Sequence, residues 1–540
     1  MTPRPPPTSV QARQPEGVDR RRLGCDCWRG KCRGGLRLTR NEKPVPDTSA
    51  EASSGARLRR LGVIDVGSNS IRLVVFDGVT RSPACIFNEK VLCGLGAGLG
   101  ETGRLSREGW SRAITALHRF TGLAERMQVS GLIAVATAAV REATDGRAFC
   151  DDVERQTGLQ LQIASGAEEG RLSAKGVLLG WPRAEGLVCD MGGSSMELAR
   201  ISGGEIGACA TSPLGPLKLA DFTDPEKRER YIRKQVRILC KSVGDSERIF
   251  LVGGSWRAIA RLDMERFGYP LTVLHGYDPP VAQLLETLPW IRAQDPAALA
   301  ARSGVSAARL ALVPLATLAL AEVIRRVDPQ RVTISAYGLR EGLLYRQMSE
   351  EMRNLDPLID TARHLEALHA RAPGFGEALR AWLLPLFAGS PAADLRLLRA
   401  ACLLHDINWR VHPDYRAELC LESVTRANIA GIDHQERVFL GLALLNRYSS
   451  SGAVDAGRYL PLLGPERIER AVILGRSMRL GAMLSGSAKT VLENTSLTID
   501  GDRLVLDLKG DTARFAGEAV ERRLASLAQK MSLTPALTLS

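Results

Sequence analysis

One pattern, used twice, constrains the fold of this chain more than any other. Leu61-Gly-Val-Ile-Asp65 reads as a short buried strand, Val66-Gly-Ser-Asn-Ser70 as a turn, and Ile71-Arg-Leu-Val-Val-Phe76 as a returning strand. The order recurs at Leu187-Val-Cys-Asp190, Met191-Gly-Gly-Ser-Ser195 and Met196-Glu-Leu-Ala-Arg-Ile201. Asp65 and Asp190 lie 125 residues apart, so the repeat has the size of a domain. A third glycine turn follows a strand at Arg248-Ile-Phe-Leu-Val-Gly253-Gly254-Ser255. A fourth strand–turn–helix runs from Val332 to Glu341. Asp77-Gly78 carries a hairpin-turn signal. A helix is predicted over Leu105–Met127, with strands over Gly131–Ala136 and Leu159–Ile163. Strands alternating with helices give an α/β class.

A strand that ends in Asp before glycine and serine sets a carboxylate beside exposed backbone N–H groups. Small residues let the backbone approach an anion closely, and hydroxyls add donors. A carboxylate beside phosphate repels it unless a divalent cation lies between, and Mg²⁺ suits carboxylate and phosphate oxygens. Two such hairpins facing each other would clamp phosphate at a domain interface. The chain has no G-x-x-x-x-G-K-[ST], which argues against a P-loop NTPase.

The 540 residues suggest three or four domains. Residues 1–60 carry 14 Lys+Arg against 6 Asp+Glu, so most of the net charge of +12 sits there. With seven prolines, residues 1–58 read as a disordered basic arm. Cys25, Cys27 and Cys32 cluster in it but lack a fourth zinc ligand nearby. Eleven scattered cysteines and no apolar signal-like run point to a reducing cytoplasm. Aromatics at 5% argue against nucleic-acid binding by stacking. The longest apolar helical stretch, Leu310–Ala321, is too short to span a bilayer. Helical periodicity dominates from Asp360 to about Leu484. A hairpin over Ser496–Leu508 and a helix near Gly517–Met531 follow.

Six segments, in order, carry a resemblance to a known family. They are Ile64–Ser70, Val135–Thr137 with Val140–Ala143, Ser165–Arg171, Asp190–Glu197, Val252–Ser255 and Gly338–Gly342. Residues ~60–345 resemble the exopolyphosphatase / guanosine pentaphosphate phosphatase family. The resemblance implies two actin-like (ribonuclease H-like) lobes, at 59–184 and 185–350. It also implies an all-α HD-like domain at 355–490 and a small α+β segment at 491–540. It implies Mg²⁺-dependent hydrolysis of terminal phosphoanhydrides in inorganic polyphosphate, with guanosine pentaphosphate as the alternative substrate. A non-catalytic binder of these anions, or an actin-like sugar kinase, would be the remoter readings. A homodimer is compatible with it, and neither a membrane nor a specific nucleic acid is expected as partner.

Carried over residue by residue, Glu169 matches the catalytic base, and Asp190 and Glu197 match metal- and water-organising acids. Asp65 joins those two as a metal ligand. Gly67, Ser68, Asn69, Ser70, Arg141, Gly192, Gly193, Ser194, Ser195, Gly253, Gly254 and Ser255 match phosphate-binding positions. Two departures stand out. Ser194 replaces the family's third glycine, which is tolerable at negative φ. Met196 replaces a threonine, which would alter phosphate affinity. In the helical region Cys402-Leu-Leu-His405-Asp406 matches the HD signature, with His364, His369 and His434 as further candidates. The late Asp of a metal-binding HD site is missing from Met478–Leu484, so the domain is expected to serve as scaffold.

Overall fold

The computed structural model describes residues 59–449 and 456–540. The basic arm, with Cys25, Cys27 and Cys32, lies outside the described residues. The strands of the first sheet are β1 (Leu61–Val66), β2 (Ser70–Phe76), β3 (Cys85–Leu92), β4 (Gly131–Ala136) and β5 (Gln162–Ile163). Those of the second are β6 (Gly186–Met191), β7 (Met196–Ser202), β8 (Glu205–Ser212), β9 (Arg248–Gly253) and β10 (Arg331–Ser335). The orders are β3-β2-β1-β4-β5 and β8-β7-β6-β9-β10. In each sheet the first three strands in sequence form an antiparallel meander, and the last two add in parallel. The sequence repeat is therefore a repeat of whole sheets. In register, Asp65 faces Arg72 across the first hairpin, and Asp190 faces Glu197 across the second.

The central strands are continuous apolar runs because both faces are covered, β1 and β6 being buried almost throughout. The edge strands β3 and β8 escaped the sequence reading. Their exposed residues alternate with half-buried ones, so no apolar run marks them. The Asp77-Gly78 turn signal proves to open a longer connection: Asp77 N donates to Ala84 O at 3.0 Å, and Ala84 N to the Asp77 carboxylate at 2.9 Å.

Two helices lie between the sheets, Gly166–Gly180 and Leu339–Arg346. They cross through glycine. A Cβ built on Gly342 would overlap the Leu172 carbonyl oxygen, and one on Gly176 would overlap that of Gly338. One apolar core joins both helices to the two sheets, through Val63, Val135, Leu172, Val188, Phe250 and Leu343. From Pro357 onward the chain is helical up to the sheet formed by β11 (Thr495–Asp500), β12 (Arg503–Leu508) and β13 (Thr534–Leu539). This sheet shares one core with the helices before it: Leu497, Leu504 and Leu506 cluster with Leu403, Leu444 and Leu480. The helical region rests on the lobes at specific bonds, among them Tyr269 OH with His434 Nδ1 at 2.9 Å and Tyr337 OH to Asn428 Oδ1 at 3.3 Å. Among the described residues no helix is long and apolar enough to cross a membrane.

Candidate active site

The two hairpin turns close in the same way. Gly67 N donates to Ser70 O, and Gly192 N to Ser195 O, each at 3.0 Å. They meet face to face: Ser194 Oγ donates to Ser68 Oγ at 3.1 Å. Between them opens a cleft of about 330 Å³. It is lined by Asp65, Gly67, Ser68, Asn69 and Ser70 from the first lobe and by Glu169 from the crossing helix. The second lobe supplies Asp190, Gly192, Gly193, Ser194, Ser195 and Glu197, with Gly253, Gly254 and Ser255. Gly253 sits at φ 116°, and a Cβ there would come 2.5 Å from Met191 O, so this turn requires glycine.

Ser194 is absent from the positive-φ residues, and serine is accommodated there without backbone strain. Met196 is fully buried in the core of the second lobe and does not line the cleft. The exchange for threonine thus acts on packing, and the expected direct change at the phosphate site has no contact to act through.

Two adjacent acids divide their tasks through local helix chemistry. Ser165 caps the helix Gly166–Gly180, and the Glu168 carboxylate accepts from Ser165 N at 2.9 Å in a reciprocal capping box. That leaves Glu169 to enter the cleft, 8% exposed. Burial raises its carboxyl from an ordinary 4.5 to about 7, while Arg141 pulls it back. Arg141 was expected on phosphate. Instead its guanidinium pairs with Glu169, donates to Ala164 O at 2.9 Å, and stands outside the cleft lining. Asp190 accepts from the Ser173 hydroxyl, and burial raises its pKa. Glu197 accepts from Thr211 Oγ1 at 2.9 Å; burial, then Glu169, push it well up. Burial also raises Asp65, against the pull of Arg340 and Arg72.

The cations of the cleft went unnoticed in the sequence. Arg72, Lys90, Arg257, Arg309 and Arg340 line it. Burial, then Arg340, hold Arg257 down to about 10, and burial also lowers Arg72, Lys90 and Arg309. Arg309 reaches Gly254 O at 3.2 Å, a site with no side chain in the way. Two of the five carried a signal. Arg72 lies opposite Asp65 in the repeat, and Arg340 lies within the segment Gly338–Gly342.

In the helical region His405 and Asp406 are both buried. Asp406 is held in a two-point ion pair by Arg371, Nε and Nη2 each at 2.8 Å. His405 Nδ1 bonds Cys402 O at 2.8 Å. His434 stands elsewhere, between Tyr269 and the His275 carbonyl oxygen. The His369 carbonyl oxygen accepts from Trp409, and His364 acts on Asp77 and Asp360. These residues do not assemble around the pair.

Residues 74–351 match the Ppx/GppA phosphatase family, and residues 358–535 match the exopolyphosphatase C-terminal family. Exopolyphosphatase 1 of Mycobacterium tuberculosis is 28% identical over 312 residues, covering 54% of this chain and 89% of that protein. Guanosine-5'-triphosphate,3'-diphosphate pyrophosphatase of Aeromonas hydrophila is 25% identical over 475 residues, covering 82% of this chain and 91% of that protein. Among solved structures, an exopolyphosphatase from Cytophaga hutchinsonii has a TM-score of 0.49 at 25% identity, covering 53% of this chain and 97% of that one. With the matched segments spanning both lobes and the helical region, the chain belongs to the Ppx/GppA phosphatase family.

Proposed function

We propose that the protein is an exopolyphosphatase, a Mg²⁺-dependent hydrolase that removes terminal phosphate from inorganic polyphosphate. One observation carries the reading. A single cleft holds anion-cradling turns, five cations and, beside them, the carboxylates of Glu169, Asp190 and Glu197. Phosphoanhydride hydrolysis asks mainly for positioning and charge neutralisation. Glu169 takes the proton from the attacking water, burial having raised its pKa to about 7. Asp190 and Glu197 orient that water, and the turns with Arg72, Arg257, Arg309 and Arg340 hold the phosphates.

The donor set suits Mg²⁺: Asp65, Asp190 and Glu197 line one cleft and offer hard oxygen ligands. Among the described residues no group of three or more His, Cys, Asp or Glu forms a protein cage. Asp65 sits on one lobe, while Asp190 and Glu197 sit on neighbouring strands of the other. That fits an ion held by one or two carboxylates and completed by substrate oxygens, rather than by all three acids together. When bound, it would neutralise charge developing on the phosphoryl group.

The matched sheet orders support the actin-like reading of the lobes. The helical region reads as an HD-like scaffold, since Arg371 occupies both oxygens of Asp406.

The test is phosphate release from long polyphosphate without acceptor or ADP, with Mg²⁺ and with chelator. No release under either condition would refute the reading. The nucleotide substrate is the second reading, favoured by the Aeromonas hydrophila relative, which matches 82% of the chain. Comparing kcat/KM for polyphosphate and guanosine pentaphosphate decides between them.

A further inference from the structure

Arginines gather, with no ion pair to an acid among the described residues, where two helices of the helical region cross. His434–Tyr448 and Pro465–Ser485 pack closely enough that a Cβ built on Gly475 would lie 2.5 Å from Asn446 Cβ and 3.1 Å from Arg447 N. The crossing brings Arg447 together with Arg476 and Arg479, and the helix Glu518–Lys530 adds Arg523. Arg447 is 7% exposed, and no described residue gives its guanidinium a hydrogen bond or ion pair. Its neighbour is the Tyr448 ring at 4.7 Å. Arg447 Nε, Arg476 Nε, Arg479 Nη1 and His405 Nε2 are all buried without a partner. Arg523 Nε has only the Met483 thioether, at 3.4 Å. Burial, then Arg523, Arg447 and Arg476, lower Arg479 to about 10. The carboxylate that acts on Arg447 is Asp406, already held at two points by Arg371.

Buried cations without a counter-ion are costly, and proteins that keep them generally supply an anion. Guanidinium forks match phosphate oxygens at two points, and a phosphate carries charge and oxygens enough to answer several cations at once, where a chloride ion or a single carboxylate answers one. We propose that this arginine cluster, beside the His405–Asp406 pair, is a second anion site, separate from the hydrolytic cleft, that binds a phosphate-bearing ligand through Arg447 and Arg479. A position that would hold a cation in a metal-dependent HD domain is here surrounded by cations, so the charge of its ligand is reversed. The phosphate can belong to a compact anion or to the end of a polymer.

Equilibrium dialysis of the full chain with pyrophosphate, and in parallel with long polyphosphate, tests this. Arg447→Gln with Arg479→Gln should lose one bound pyrophosphate per chain while the cleft still hydrolyses substrate. If only polyphosphate binding drops, the site takes polymer ends. Without anion, the double variant should unfold at a temperature no lower than the wild type, because it removes uncompensated charge. Arg479→Gln alone, at a half-buried position, gives the same reading should the double variant fail to fold. Unchanged stoichiometry with both probes would overturn the proposal.

Discussion

Glu169 keeps its proton up to about pH 7 because it is buried, and two consequences follow at the scale of one residue. As a base it works only when ionised, so kcat should rise through about pH 7 and level off above it. Glu169→Gln should lower kcat by roughly 10²–10⁴-fold with little change in fold, measured by phosphate release. Arg141 favours the ionised form, so Arg141→Gln should move the limb of the pH profile to higher pH. A limb that stays in place would remove Arg141 from this role. The sign for stability is opposite to that for activity. Between its ordinary 4.5 and about 7 the folded chain holds a proton that the unfolded chain releases. This carboxyl therefore lowers stability as pH rises across that window. Glycines, serines and acids of the cleft were legible because each sits in a short local motif. Arginines are long and reach the cleft from scattered elements. Arg257 and Arg309 come from helices far apart in sequence, with no local pattern to announce them.

At the scale of elements, the crossing of Gly166–Gly180 with Leu339–Arg346 depends on atoms that are absent. Gly342→Ala would force the two backbones apart and should cost about 1–3 kcal/mol or more, read as a lower unfolding temperature together with reduced activity. The Asp406–Arg371 pair behaves differently. Its carboxylate is buried, but Arg371 is 46% exposed and can return to water. Asp406→Ala should cost about 1–3 kcal/mol while Mg²⁺-dependent hydrolysis at the lobes persists. A folded Asp406→Ala variant without activity would show that the helical region does more than support. The hairpins β1–β2 and β6–β7 were readable from sequence because buried apolar runs flank a glycine-serine turn. β5 was legible in the alternation of Leu159–Ile163, though only Gln162 and Ile163 pair; β13, by contrast, runs along an exposed edge and buries too little apolar surface to leave a pattern.

For the whole molecule, substrate length becomes measurable through salt. A long polyanion that touches several cations should lose affinity steeply as ionic strength rises, and guanosine pentaphosphate should lose less. The check is kcat/KM for both at two salt concentrations; equal slopes would mean that only the terminal phosphates are held. The two lobes themselves are copies, sheet for sheet, and copies facing one another would make a cleft with no preferred direction. One ladder position breaks that equivalence: Arg72 stands opposite Asp65 where Glu197 stands opposite Asp190. The repeat therefore sets a guanidinium on one lobe where it sets a carboxyl on the other, and the two walls of the cleft are chemically unlike at that rung. Turning a chain of phosphates end for end in this cleft therefore changes which side chains each phosphate meets.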